Sequence, residues 1–196
     1  MIDPTAIVMP TESGIFVDLA HPQPSQIRLR DIARHLAKIN RYCGATQVPL
    51  SVAQHSVLVA EEVERQLGPL AGLQGLMHDA HEAYLGDLTA PAIQLLHRVV
   101  GTDVWHVLTE TLDAAIYQAL DLPEQTEEAQ LAIRLADGSA AATEWRDCMA
   151  DIEPPPGRFP RPFRAVVKPV PWVNAESLFL STYRRLCFAA GIPERS

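Results

Sequence analysis

The chain has 196 residues, 47% hydrophobic and 20% charged, with a formal net charge of −8. That length suits one domain with a sizeable core. The acidic balance argues against a broad nucleic-acid surface but not against small phosphorylated ligands, which need only a metal or a few local arginines.

Residues 1–26 are Pro-rich and read as an irregular N-terminal arm, within which GIFVDLA can form a short strand. The opening lacks the basic start and apolar block of a secretory signal, and no segment is apolar enough to span a bilayer, so a cytoplasmic protein is expected. From Ile27 to Arg41, Ile32, Leu36 and Ile39 with Ala33 and Ala37 recur at helical spacing, with Ser25 or Asp31 as cap. Ser51 is the expected N-cap of a second helix, whose stripe is Val52, Ser56, Val59 and Val63 and whose end is Gly68-Pro69. A third helix is expected from about Leu70 to Leu85, closing at Gly86.

Asp87 or Thr89 caps the next segment, with Pro91 near its first turn. Val104–Leu122 reads as a long amphipathic helix. Residues 126–149 read as one helix despite Gly138, because a stripe of Leu131, Leu135, Ala142 and Trp145 continues across it. The prolines of 152–173 forbid regular helix and make a loop or strap, and a last helix runs through 175–191. Helices dominate, so the class is all-α in a compact single domain. The amphipathic 104–122 helix and the apolar last helix offer a face for a homodimer or higher homo-oligomer. Cys43, Cys148 and Cys187 have no CxxC spacing and fit reduced core fillers.

The chemistry concentrates in GLMHDAHEAYLGDLTAP, from Gly75 to Pro91. A His-Asp dipeptide within an apolar helix supplies a neutral nitrogen and a hard anionic oxygen, and a divalent metal lying against that helix is an object both can grip. His55 can add a second imidazole, although alone on an apolar stripe it reads as a satisfied core histidine. Asp137 can add a second carboxylate, since an unpaired charge among Leu135, Ala136 and Ala140 would be costly. Two imidazoles and two carboxylates, His55, His78, Asp79 and Asp137, suit one Mn, Co, Fe, Ni, Zn or Mg ion.

This H…HD…D series resembles the HD-domain superfamily of metal-dependent phosphohydrolases. Within it the chain looks most like the 5′-deoxynucleotidases and their deoxynucleotide-hydrolysing relatives. The resemblance rests on INRYCG (Arg41, Tyr42), AQHS (His55), HDAHE (His78, Asp79, Glu82), GDLTAP (Asp87) and IRLAD (Asp137), and covers about Arg28 to Arg146. Four features depart from the family pattern: Tyr42 where tryptophan is common, Arg134 for a lysine, TAP for PTP, and the Pro-rich segment 154–171.

The resemblance implies an HD-domain helical fold. Glu82 would serve as the proton-transfer group and Arg41 with Tyr42 would bind substrate, while Asp87 would read the deoxyribose 3′-hydroxyl. Each has a plainer reading: a solvent-facing Glu82, an Arg41 on helix C-terminal carbonyls, an Asp87 that only caps. His81 is either a polar neighbour at the pocket lip or a ligand to a second metal. The other histidines, His21, His35, His97 and His106, read as surface or structural, and Glu144 as solvated or capping.

The expected activity is release of phosphate from deoxynucleoside 5′-monophosphates. The alternatives are a deoxynucleoside triphosphate triphosphohydrolase and, of another class, a non-catalytic nucleotide-binding regulatory module. The acidic pair HDxxED of guanosine-tetraphosphate hydrolases is absent, since Ala83 follows Glu82.

Overall fold

The computed structural model describes residues 6–155 and 157–195. The first five residues of the arm and Pro156 of the Pro-rich segment lie outside them, as does Ser196. The fold is all-α, with one small sheet: β1 (Val8–Pro10) pairs antiparallel with β2 (Phe16–Asp18), Met9 opposite Val17. Among the described residues no helix is long and apolar enough to cross a membrane.

The arm is tied down by charge as well as by pairing. Ser13 donates its backbone N–H (2.9 Å) and its hydroxyl (2.7 Å) to Asp31, which is fully buried in the first turn of α1 (Leu29–Lys38). Asp31 is therefore an acceptor for the arm and not a helix cap. The helix is shorter than the periodicity suggests, because Ile39 is extended and Asn40 bridges to Ser51.

Helix α2 (Val52–Leu67) opens where Ser51 accepts the Gln54 N–H at 3.2 Å, and it buries Val52, Ser56, Val59 and Val63 as expected. Helix α3 (Pro69–Leu76) returns tightly against it. The continuous third helix is not formed: the chain turns through 77–81 with Ala80 N–H on Met77 O and Glu82 N–H on Asp79 O, each 3.0 Å, before the short α4 (Glu82–Leu85). These i→i+3 bonds turn the backbone more tightly than an α-helix does.

Helix α5 (Ala90–Val100) buries none of its side chains and packs on α6 (Val104–Ala119). Thr89 stands at its N-cap position without a side-chain bond, and Asp87 does not cap it. Helix α7 (Glu127–Cys148) is continuous through Gly138, and of the expected stripe Ala142 is buried and Trp145 half-buried, but its first half is not covered. Leu131 and Leu135 are exposed, whereas Ala129, Ile133, Ala136 and Ala140 lie against Val59 and Val63 of α2. Three of the four are alanines, and small residues let two helices approach.

The last helix, α8 (Trp172–Ala190), closes the main core through Ala175, Phe179, Tyr183 and Leu186. Residues 151–155 and 157–171 form an irregular strap along α7. Arg146 donates to the Phe163 and Ala165 carbonyls, both at 2.7 Å, and Asp147 accepts the Val167 N–H at 2.8 Å. All three cysteines are free; Cys148 and Cys187 are buried, but Cys43 is exposed and fills no core.

Candidate functional site

Three chain segments converge at one point: the turn after α1, the start of α2 and the turn after α3, faced by the middle of α7. His55, on the second turn of α2, has a fully buried side chain, and its Nδ1 lies 2.7 Å from Glu144 Oε1. Its Nε2 faces Asp137 Oδ1 at 3.1 Å and Asp79 Oδ2 at 3.6 Å. His78 places Nδ1 2.8 Å from the Gly75 carbonyl. A carbonyl only accepts, so that nitrogen carries the hydrogen and the neutral ring keeps its Nε2 lone pair free. Nε2 lies 3.1 Å from Asp79 Oδ2 and 4.0 Å from Asp137 Oδ1.

Adjacent residues on an α-helix point about 100° apart, yet His78 and Asp79 meet at one spot because they sit in the tight turn. Donor atoms of His55, His78 and Asp79 all lie within 4.8 Å of one another. Both Nε2 atoms are buried without a hydrogen-bond partner. Buried polar atoms are rarely left so, and two unpartnered imidazole nitrogens with carboxylates close by suit a divalent cation, whose binding would displace any proton they carry. Asp137 stands at the open side, its side chain 45% exposed.

The electrostatics follow. Burial opposes ionisation of Asp79, but His78, His55 and Arg41 outweigh it and hold the carboxyl well below its usual range. Burial likewise disfavours the charged Asp137, and His55 and His78 bring it down. His55 is pushed down by burial and by Arg41, yet Glu144 and Asp137 carry it up to about 10. Glu82, the first residue of α4, is buried, and its Oε2 has no partner. Burial, then the charges of Asp79 and Asp87, push it up to about 10, so in the metal-free chain it carries a proton at neutral pH. Asp87, half-buried after Gly86, is also raised, by burial first and Asp79 next, against the pull of Arg41.

Arg41 does not lie at a helix C-terminus. It opens a short 3-10 turn, Arg41–Gly44, pinned by its N–H on the Leu50 carbonyl at 2.9 Å. Its Nε donates to Glu144 Oε2 at 2.9 Å, and its Nη1 stands 3.8 Å from Asp79 Oδ2. Tyr42 adopts φ +55°, a left-handed conformation uncommon for such a side chain. Its hydroxyl lies 3.0 Å from Glu144 Oε2 and 3.1 Å from the Ala141 carbonyl, so one of the two accepts its proton. Glu144, read from the sequence as solvated or capping, is thus fully buried at the centre of the site. Its one signal in the sequence was its place seven residues, two helical turns, after Asp137.

His81 is buried with Nδ1 3.0 Å from Asp113 Oδ1, and with Asp79 and Glu82 it forms a second group of donor atoms within 4.8 Å. Its plainer role is a histidine held by Asp113. His78 also lines a cavity of about 470 Å³ bounded by Met77, Glu110, Asp113, Tyr117 and Gln125. Arg134 is exposed on α7. His35 is structural, its Nδ1 2.9 Å from the Ala83 carbonyl.

No family model matches the chain. It is 36% identical over 116 residues to an uncharacterized protein of Rhodobacter capsulatus, an alignment covering 57% of each chain. It is also 34% identical over 125 residues to the uncharacterized protein YfdR of Escherichia coli strain K12, covering 64% of this chain and 63% of YfdR. The chain therefore spans roughly three fifths of the curated relatives it matches.

Proposed function

We propose that this chain is an HD-type metal-dependent phosphohydrolase that releases phosphate from 2′-deoxynucleoside 5′-monophosphates. The observation that carries the reading is the pair of buried, unpartnered Nε2 atoms of His55 and His78 converging on Asp79. With Asp137 these residues would hold one divalent ion. Such an ion, when bound, supplies Lewis acidity and neutralises phosphate charge.

The remaining work falls to the chain's own side chains. Phosphoryl transfer asks mainly for positioning and charge neutralisation. Arg41 has its Nε committed to Glu144, which leaves its Nη donors for phosphate oxygens. Water attacks phosphorus, the P–O5′ bond breaks, and the proton the water sheds restores the acid form of Glu82 after it has protonated the leaving oxygen. Glu82, buried close to Asp79 with an unpartnered Oε2, gives its proton to the departing O5′. Asp87 accepts a hydrogen bond from the sugar 3′-hydroxyl beside the site, and crowding there penalises ribose.

Arg41 is the one lysine or arginine paired with the carboxylates of this cluster among the described residues. One cation suits one phosphoryl group and supports monophosphates over triphosphates. The test is a product-resolved phosphate-release screen on chelator-stripped protein resupplied with Mn, Co, Mg or Zn, with Asp79→Ala alongside. Deoxynucleoside plus orthophosphate from monophosphates is the expected result. Tripolyphosphate from triphosphates would move the activity to the triphosphohydrolase reading. Metal-independent or absent turnover, with Asp79→Ala indistinguishable from wild type, would leave a nucleotide-binding module.

A further inference from the structure

Glu144 stands out once the cluster is described. It is 0% exposed and lies on α7, two turns beyond Asp137. Its two oxygens are divided between different tasks. Oε1 meets His55 Nδ1 at 2.7 Å, while Oε2 accepts Arg41 Nε at 2.9 Å with the Tyr42 hydroxyl 3.0 Å away. A carboxylate kept only to neutralise Arg41 would present both oxygens to the guanidinium fork. Here the fork receives one oxygen and the imidazole the other. The same helix also places Asp137 Oδ1 3.1 Å from His55 Nε2. Helix α7 therefore faces the imidazole at both nitrogens: buried Glu144 bonds Nδ1, and half-exposed Asp137 stands beside the unpartnered Nε2.

We propose that Glu144 is a positioning residue for the site, resting on the metal-centre reading above: it keeps the hydrogen of His55 on Nδ1 so that Nε2 is the metal donor, and by anchoring Arg41 through Nε it aims the Nη donors at the phosphate. An imidazole whose outer nitrogen donates to a carboxylate is fixed in tautomer and ring orientation, and it is a more basic ligand. His78 achieves the same with the Gly75 carbonyl. His55 lies near the start of α2 and takes its partner from α7, 89 residues further along the chain.

The separating variant is Glu144→Gln, which keeps shape and loses one acceptor. A carboxamide has a single oxygen, so it cannot accept from His55 and from the Arg41–Tyr42 pair together. The primary readout is Zn²⁺ affinity of chelator-stripped protein, measured by competition with a chromogenic chelator, with thermal unfolding as the check on folding. Glu144→Gln should bind Zn²⁺ about 10- to 100-fold more weakly than wild type while unfolding cooperatively, and KM should rise for the monophosphate that wild type hydrolyses. Zn²⁺ affinity within twofold of wild type would overturn the proposal.

If the variant does not fold, the wild-type Zn²⁺ form decides. Ring-nitrogen NMR should show His55 with a protonated Nδ1 and a metal-bound Nε2, and metal on Nδ1 would overturn the assignment. Wild-type protein that binds no metal would remove both the proposal and the reading beneath it. Metal binding by wild type that is unchanged in the variant would remove only the role of Glu144.

Discussion

Helices α2 and α3 approach closely at Gly72, and one methyl group tests that contact. A Cβ at Gly72 of α3 would stand 2.7 Å from Glu64 Cβ, 3.1 Å from Glu64 Cα and 3.2 Å from the Ala60 carbonyl of α2. Carbon atoms pack best at about 3.5–4.0 Å, so Gly72→Ala must part the two helices by about 1 Å or bend them. Helix propensity favours alanine by about 1 kcal/mol. Against that, an extra methyl in a close-packed contact costs about 1–3 kcal/mol, and two of the three obstacles here are backbone atoms that no rotamer change removes.

The net expectation is a loss of up to about 2 kcal/mol, or up to about 8 °C in melting temperature for a chain of this size. Gly75→Ala is the internal control. Its added Cβ meets Val63 and Ala60 at 3.4–3.5 Å, ordinary contact distances, so it should stay within about 1 kcal/mol of wild type. Urea unfolding of both variants beside wild type, with the slope compared, measures the difference. Because α2 carries His55 and α3 leads into His78, Gly72→Ala should also weaken Mn²⁺ binding. A Gly72→Ala protein more stable than wild type would refute the argument that this approach is sterically limited.

Further outcomes follow from the site. Mn²⁺ added to chelator-stripped wild type at about 100 times its Kd should stabilise it by about 2.7 kcal/mol, and scanning calorimetry should show no such gain for Asp79→Ala. Glu82→Gln should bind Mn²⁺ as wild type does and lose about 10²- to 10⁴-fold in kcat; unchanged kcat would remove the proton-donor role. The metal-free chain should have a melting temperature that falls on both sides of pH 4.5. Below it, Glu144, held down to about 2 by His55 and Arg41 against burial, loses its contribution as it protonates. Above it, Glu82, raised to about 10, takes up a proton on folding and costs stability as pH rises. From pH 6.5 towards 10 the charged His55 adds to the decline. A profile flat from pH 4 to 9 would contradict these environments.

Local rules carried much of the fold. Ser51 caps α2 because its hydroxyl meets the Gln54 N–H, Gly68 ends the helix, and α7 runs unbroken through Gly138. Residue chemistry also located the main cluster: His55, His78, Asp79 and Asp137 do come together. The misses share one cause, since each depends on what lies across a tertiary contact. Leu131 and Leu135 have the hydrophobicity of core residues, but α7 turns Ile133, Ala136 and Ala140 towards α2 and leaves the two leucines exposed. The turn at 77–81 breaks a helix that local propensity would continue, and that break is what lets His78 and Asp79 converge. Glu144 has no motif of its own. Its burial makes sense only when Arg41, Tyr42 and His55 arrive from the other end of the chain.

That long reach has a kinetic consequence. The bonds that close the site join residues 89, 102 and 103 positions apart. No fragment containing only α2 and α3 can assemble them, whatever its helicity. Contacts of such separation carry the full entropy of loop closure and tend to form late in folding. A ribosome must therefore release most of α7 before His55 and Arg41 find their shared carboxylate, and until then the arginine and the histidine remain solvated. Metal-binding competence would then report the docking of α7 onto α2, which makes metal capture a direct assay for that step.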